Sequence, residues 1–377
     1  MMLLDKQRVK ENIEKRLSED ISSGRVGGAS VLVKQNGEVI YKNVFGRASE
    51  HSPITEDSMF RLASMTKPIT AVAIMRQVEK GLVSLDDDLD RFIPGYGEMD
   101  IAVMENNEPK IIKKAENKIK ILHLLSHSSG VGCGAVGDYL NIHANRNAEI
   151  DLKGVSEEYA SKPLTFDPYT AQAYSPRVGF DLLARVVEIT SGMPYDEFLK
   201  KELFEPLEMC DTTFRPTAEQ WSRTVTMHRF DGGVVSFEPV DDQHIFGGLP
   251  LEYFCGGAGL VSSVADYVKF AEMLLNDGVG ATGARILSAD SVRLLRTPSL
   301  PDGIMPGNQR WGLGMRVITA PSYGRLPVGC FGWSGAYGAH FWIDPENKIV
   351  GVYMKNSRYD GGSGAVTAAN FEKDVYL

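Results

Sequence analysis

The sequence has few of the features that mark several large classes of protein. Its 377 residues include four cysteines, which are far apart and form no Cys-x-x-Cys pair. This spacing argues against a zinc ribbon or a dense disulfide framework and is consistent with a reducing compartment. No apolar run reaches the ~18–20 residues of a membrane helix. Charged residues begin at Asp5 and Lys6, with no apolar segment typical of a secretory signal, so we expect a cytoplasmic protein.

Basic residues are outnumbered by acidic ones. The chain has 40 Lys and Arg residues and 49 Asp and Glu residues, which gives a formal net charge of −9. Nucleic-acid-binding proteins usually carry a basic patch or stripe. The one basic concentration, residues 110–120, is interrupted by Glu116 and is interpreted as a solvated segment. We therefore expect a small-molecule substrate rather than a nucleic acid or a membrane, while the oligomeric state is left open.

Apolar periodicity predicts different elements at the two ends of the chain. Val9, Ile13, Leu17 and Ile21 recur every four residues, which predicts an amphipathic helix that ends at Gly27-Gly28. Asn36-Gly37 between two β-prone runs predicts a hairpin. Near the other end we predict strands and a last helix, in residues 311–318, 340–344, 349–355 and 366–376.

The middle of the chain has mainly helical patterns, predicted in residues 64–80, 182–190, 195–203 and 266–276. We expect an α+β fold, an α/β sandwich, in which an antiparallel sheet is built from both chain ends and flanked by the terminal helices. Residues 1–83 and 241–377 would form this discontinuous sheet domain. Residues 84–240 would form an inserted, mainly helical lobe. The cleft between the two is the expected site.

The segment with the clearest chemistry is Ser64-Met65-Thr66-Lys67, at the start of a predicted helix. Residues three apart lie on the same helical face, so the hydroxyl and the amine can meet. A helix N-terminus also presents free N–H groups and a partial positive charge, which favour an oxyanion beside the serine. A surface lysine near a capping serine would give the same four letters, so this motif needs support from other segments.

Two further segments supply that support. Tyr174-Ser175-Pro176 lies just before a predicted helix, where a tyrosine can share a proton with Lys67 and the serine. The glycine-rich segment 331–338 leads into a predicted strand, and its glycines would let a substrate approach the backbone. A backbone N–H in this segment could donate to an oxyanion.

In this order and spacing, the three segments resemble the serine β-lactamase and penicillin-binding-protein superfamily. The resemblance is closest to the class C β-lactamase-like group and its family VIII carboxylesterases, and it runs from about residue 10 to the C-terminus. Three other blocks also resemble that group: residues 124–130, residues 205–212 with Glu208 in place of a glycine, and residues 256–260.

The resemblance implies a β-lactamase-like fold and a role for each matching residue. Ser64 would be the nucleophile, and Lys67 and Tyr174 would relay protons, with either one as the first acceptor. The backbone N–H groups of Ser64 and Ala336 would form the oxyanion hole. No metal and no cofactor is implied. We expect the residues that bind the substrate to be Trp333, Gly335 and Tyr337, with Cys133 as a further candidate for the cleft wall.

Two departures from the β-lactamase pattern favour esters as substrates. Pro176 stands where many β-lactamases have an asparagine, and Trp333-Ser334-Gly335 replaces Lys-Thr-Gly, whose lysine helps to hold the β-lactam carboxylate. Trp-x-Gly is typical of the esterase branch. We therefore expect hydrolysis of carboxylic esters through an acyl-enzyme. An acyltransferase, a β-lactamase or a D-amino-acid peptidase would use the same site, and a non-catalytic penicillin-binding sensor is less favoured because the three reactive residues are intact.

Other chemical motifs in the sequence lack the context that they need. Residues 132–137 fit Gly-x-Gly-x-x-Gly but follow a helical pattern rather than a strand, which argues against a dinucleotide site. His123 and His127 have the spacing of metal ligands but no third ligand is evident, so we expect them to serve packing and hydrogen bonding. The Gly-x-Ser-x-Gly signature of α/β-hydrolases is absent.

Overall fold

A computed structural model describes residues 2–142, 150–231, 234–237, 253–321, 326–357 and 366–377. Its α-helices are α1 Lys6–Ser22, α2 Thr66–Glu79, α3 Ile121–Leu125, α4 Gly134–Ile142, α5 Leu152–Ala160, α6 Val178–Ser191, α7 Tyr195–Leu199, α8 Ala218–Ser222, α9 Val264–Leu275, α10 Ala289–Leu295 and α11 Val366–Tyr376. Its strands are β1 Gly28–Gln35, β2 Glu38–Gly46, β3 Met59–Arg61, β4 Asp100–Glu105, β5 Glu108–Lys114, β6 His228–Asp231, β7 Val234–Phe237, β8 Val261–Ser263, β9 Gln309–Trp311, β10 Arg316–Ile318, β11 Phe331–Ser334, β12 His340–Asp344 and β13 Ile349–Lys355.

The main sheet is built from both ends of the chain. Its seven strands run in the order β2-β1-β13-β12-β11-β10-β9, and every neighbouring pair is antiparallel. The N-terminal hairpin, with Asn36-Gly37 at its turn, pairs through β1 with the C-terminal strand β13. The predicted α+β fold with a sheet from both termini is therefore confirmed.

Each face of the sheet is covered by its own hydrophobic core. The terminal helices α1 and α11 pack together on one face, where Val9 and Ile13 meet Trp342 and Phe371. Helix α9 packs on β1, β12 and β13 from the other face. The core on that side continues into α2 and α6, so the helix that follows Ser64 lies inside the largest buried cluster.

Several predicted bounds are corrected by the structure. The first helix ends at Ser22 instead of Gly27, and the expected strand 311–318 is a short hairpin, because the chain turns where Gly312 N–H bonds Met315 O. The expected helix 195–203 ends at Leu199 and continues as a π-helical turn. The expected mainly helical middle contains the hairpin of β4 and β5, whose lysines are exposed as predicted for a solvated segment.

Helix α6, from the middle of the chain, packs against α2. Its division from the rest at residues 84 and 240 stays a prediction, and residue 241, where the second part of the sheet domain was expected to begin, lies outside the described residues. None of the helices in the described ranges is both long and apolar enough to cross a membrane.

Because the terminal helices are held by large buried side chains, removing one of them should be costly. Phe371 is 4% exposed and contacts the Trp342 ring at a centroid distance of 4.8 Å. Phe371→Ala should lower the free energy of unfolding by about 3–5 kcal/mol through lost burial and a residual cavity. Urea unfolding followed by tryptophan fluorescence measures this.

The control for that experiment is Ile112→Ala, which truncates an apolar side chain that is 53% exposed on β5. It should change the free energy of unfolding by less than about 0.5 kcal/mol. A similar loss for both variants would contradict the view that α11 is held by the buried core.

Candidate active site

Ser64 lies in a 3₁₀ turn, Ala63–Met65, directly before α2, and not in the α-helix itself. Ala63 has a φ of +46°, in the left-handed region that alanine rarely adopts. Such strain persists only where the surroundings hold it. Here Leu62 N–H bonds Leu260 O and the Tyr267 hydroxyl donates to Met65 O at 2.8 Å, so both ends of the turn are fixed to the C-terminal part of the chain.

Lys67 reaches Ser64 from the first turn of α2 and is fully buried. Its Nζ lies 3.2 Å from Ser64 Oγ, 2.6 Å from Pro176 O and 2.7 Å from Gly257 O. A buried amine is costly unless its hydrogen-bonding positions are filled. Two backbone carbonyls fill two of them, so the third position around the nitrogen is directed at the serine.

Tyr174 is the second side chain that reaches the same oxygen. Its hydroxyl lies 2.7 Å from Ser64 Oγ, and its ring centroid is 5.0 Å from Lys67 Nζ. The structure therefore brings together the three reactive residues expected from the sequence. Pro176, which departs from the β-lactamase pattern, contributes its backbone carbonyl to Lys67 rather than a side-chain amide.

His127 supports Tyr174 and was given no such role from the sequence. It is 1% exposed, its ring centroid is 4.6 Å from that of Tyr174, and its Nδ1 accepts the N–H of Ser175 at 3.1 Å. Burial, followed by the nearby charge of Lys67, holds the pKa of His127 well below its usual value. The imidazole is thus neutral and fixes the backbone next to Tyr174. From the sequence we expected His127 to serve packing and hydrogen bonding, but nothing in the sequence connected it with Tyr174.

The segment 331–338 contains β11 and the turn that leads from it to β12, and it lies against the 3₁₀ turn that holds the nucleophile. Gly335 touches the backbone of Leu62, since a Cβ on it would be 2.1 Å from Leu62 O. Gly335 N–H donates to Ala339 O, and Gly338 N–H donates to Gly335 O. Ala336 is exposed at the tip of this turn. Its backbone is therefore next to the part of the chain that leads into Ser64.

Aromatic rings form one wall of the site. Trp333 is 7% exposed and lies 5.6 Å from Tyr174 and 4.5 Å from Trp311, measured between ring centroids. Trp311 was predicted only as a strand residue, because β9 is far from the motifs in sequence. Tyr337 is partly buried against Met59, Ala63 and Val261, on the other side of the turn.

Cys133 and His123 are buried and supply no reactive group to the site. Cys133 is fully buried, and burial raises the pKa of its thiol to about 12, which corrects its candidacy for the cleft wall. His123 stacks on Tyr169 and accepts the N–H of Lys120. Gly134 is the first residue of α4, and the loop before it contacts Val178 and Thr165. This loop follows helix α3 and not a strand, so the glycine motif lacks the context of a dinucleotide site. In the described ranges no three His, Cys, Asp or Glu side chains form a group that could hold a metal.

The fold and this geometry are matched by known proteins. The family model for beta-lactamase matches residues 9–372. The chain belongs to the beta-lactamase family. Among curated relatives, esterase EstB of Burkholderia gladioli is 28% identical, over 97% of this chain and 95% of its own. A putative D-alanyl-D-alanine carboxypeptidase of Escherichia coli K12 is 26% identical, over 91% of this chain and 81% of its own.

A solved structure shows the same fold over the whole chain. EstCE1, described as a hydrolase with promiscuous acyltransferase activity, superimposes with a TM-score of 0.80 and is 24% identical. The match covers 99% of both chains. The predicted family and the β-lactamase-like fold are confirmed.

The buried histidines predict a loss of stability in acid. Burial, followed by the charge of Lys120, lowers the pKa of His123 from 6.5 to about 4. Between these two pH values the unfolded chain takes up a proton that the folded chain does not, so stability falls as the pH falls. The melting temperature of His123→Gln should therefore decrease less than that of the wild type between pH 7 and pH 4.5.

Differential scanning fluorimetry across this pH range gives the comparison. The control His51→Gln removes a histidine whose side chain is 86% exposed and should follow the wild-type curve. Parallel curves for the wild type and His123→Gln would show that His123 does not contribute to the acid response.

Proposed function

We propose that this protein is a metal-independent serine hydrolase that cleaves carboxylic esters through an acyl-enzyme on Ser64. One observation carries the proposal: Ser64 Oγ lies within hydrogen-bond distance of both Lys67 Nζ and Tyr174 Oη, at 3.2 and 2.7 Å. A hydroxyl is a weak nucleophile until an adjacent group takes its proton. Two such groups converge on this one oxygen.

In the first half of the reaction, Ser64 Oγ attacks the ester carbonyl carbon and its proton passes to the Lys67–Tyr174 pair. The pair then protonates the alcohol as the bond between carbon and alkoxide oxygen breaks. In the second half, water attacks the acyl carbon and gives a proton to the pair, which returns a proton to Ser64. Lys67 is held by Pro176 O and Gly257 O throughout, so it needs no rearrangement between the two halves.

The negative charge on the carbonyl oxygen would be stabilised by the backbone N–H groups of Ser64 and Ala336. The N–H donors of Gly335 and Gly338 are used inside the turn, whereas Ala336 is exposed at its tip beside the nucleophile. Donors fixed before the reaction are effective because they do not have to reorient as charge develops.

The wall beside the nucleophile favours esters over β-lactams. Trp333 occupies the position at which the β-lactamase pattern has a lysine, and it packs against Trp311 and Tyr174. An indole gives apolar contact to an acyl group or an alcohol but no charge for a carboxylate. We assign Trp333, Gly335 and Tyr337 to substrate binding. The similarity to the esterase EstB supports an ester substrate, and the similarity to EstCE1, a hydrolase with promiscuous acyltransferase activity, favours acyl transfer as the second candidate function.

We also assign the cleft to the junction of the sheet domain with a helical lobe spanning residues 84–240. Ser64 comes from the first of these units and Tyr174 from the second. For the compartment we propose the cytoplasm, which is supported by four cysteines that are all free, including the exposed Cys210.

The assignment of the nucleophile is tested with p-nitrophenyl acetate, p-nitrophenyl butyrate and a chromogenic cephalosporin. Ser64→Ala should lower kcat for both esters by ~10³-fold or more, since no other hydroxyl replaces Ser64. Ser222→Ala, which removes an exposed hydroxyl on α8, should have wild-type rates. Ester turnover that survives in Ser64→Ala would refute the proposal, and efficient cephalosporin hydrolysis with no ester turnover would replace it with a β-lactamase.

The relay predicts that Lys67 and Tyr174 act as a unit. Lys67→Met and Tyr174→Phe should each lower kcat by ~10²–10⁴-fold, the usual contribution of acid–base catalysis. The double variant should be little worse than the poorer single variant, because each change alone breaks the relay. Losses that multiply in the double variant would indicate that the two side chains act independently.

A further inference from the structure

A second cluster of buried polar side chains lies beneath the turn that carries Ala336. Ser334 Oγ and His340 Nδ1 are 2.7 Å apart, and His340 Nε2 is 3.0 Å from Glu372 Oε1. Glu372 also accepts from the guanidinium of Arg316. All four residues are at most 4% exposed.

The serine, histidine and carboxylate lie in the order found in a hydrolytic triad, but they do not form a second active site. Ser334 is 1% exposed and its hydroxyl is directed into the network, so no substrate carbonyl can reach it. The cluster must therefore act through the elements that carry it. These are β10, β11 and β12 of the sheet and helix α11.

The position of Ser334 and His340 suggests what that action is. Ser334 is the last residue of β11 and His340 the first of β12, and they are directly paired across the two strands. Between them lies only the turn that contains Ala336. The hydrogen bond from side chain to side chain therefore fixes the two ends of this turn relative to each other.

The turn is confined from its other sides as well. Gly335 lies against Leu62 O, and Gly338 lies against the methylene groups of Lys355, where a Cβ would be 2.0 Å from Lys355 Cε. With both ends held by Ser334 and His340, little freedom remains for the backbone at Ala336. Glu372 of α11 lies 3.0 Å from His340 Nε2, on the side of the ring away from Ser334, so α11 covers the histidine that bonds Ser334.

We propose that His340 is a positioning residue for the oxyanion hole, acting through Ser334 on the backbone at Ala336. This inference rests on the proposed function of the same site. A buried ionic network is seldom more stabilising than apolar side chains of similar volume. Its contribution here is directional: hydrogen bonds fix the angle of the turn, whereas apolar packing would tolerate sliding. A displacement of about 1 Å in a catalytic group can lower a rate ~10²-fold.

The test compares His340→Leu with His340→Gln, which can still donate and accept a hydrogen bond, and with Ser334→Ala. The matched control is Tyr376→Phe. Tyr376 donates to Asp344 Oδ2 at 2.9 Å and so joins the same helix α11 to the far end of the same strand β12. For each variant we would measure kcat and KM for p-nitrophenyl butyrate, the inhibition constant of phenylboronic acid, and the melting temperature. Boronic acids form a tetrahedral adduct with the nucleophile and so report on the oxyanion hole.

His340→Leu should lower kcat and raise the inhibition constant of phenylboronic acid by the same factor, about tenfold or more. KM should stay within about twofold of the wild-type value. His340→Gln should recover part of both losses. Tyr376→Phe should lower the melting temperature but leave both constants unchanged. Should His340→Leu fail to fold, Ser334→Ala removes a single hydroxyl and is expected to show the same paired losses.

The proposal is overturned if kcat and the inhibition constant of the folded His340 or Ser334 variants stay within about twofold of the wild type. It is also overturned if Tyr376→Phe loses as much activity as they do, because the effect would then be general to α11. Failure of the proposed function would be seen differently: the Ser64→Ala variant would then hydrolyse the ester as the wild type does.

Discussion

The hydrogen bonds of Lys67 are the constraint on which the site depends. A fully buried amine requires acceptors, and the structure supplies them from two distant segments, Pro176 O and Gly257 O. Meeting this requirement brings the loop with Tyr174 and the segment 256–257 onto the first turn of α2. Gly257 can approach only because it lacks a side chain, since a Cβ there would be 2.8 Å from the Cα of Arg177. The reactive geometry thus follows from satisfying one buried group.

The other half of the site is made by backbone. The strained turn at Ala63 carries Ser64, and Gly335 lies directly on the carbonyl before that turn. The sheet therefore contributes position rather than reactive side chains. Proton transfer belongs to Ser64, Lys67 and Tyr174, whereas charge stabilisation is assigned to N–H groups whose location is set by β11, β12 and the polar network beneath them.

The elements that were predicted correctly are those whose bounds are set by their own residues. The bounds of β12, β13 and α11 were predicted correctly because alternating or continuous apolar runs end there at clear turn residues such as Asp344-Pro345. Contacts between distant segments were not predictable in this way. Trp311 and His127 support Tyr174 only after the chain has folded. Residues 311–318 form two strands instead of one because the chain turns at Gly312, and the apolar residues around it gave no sign of this turn. The placement of Ser64 before α2 rather than inside it depends on a backbone conformation at Ala63 that alanine seldom adopts.

The central claim is that the reaction passes through a covalent intermediate on one serine, and intact-mass and peptide mass spectrometry tests it most directly. The protein would be quenched in acid during turnover of p-nitrophenyl butyrate and digested with trypsin. Because Pro68 follows Lys67, cleavage there is blocked and Ser64 falls in the peptide 62–76. The account predicts one butyryl group, located at Ser64 by fragmentation. An acyl group on any other residue, or turnover without a trapped acyl-enzyme under conditions in which deacylation limits the rate, would contradict it.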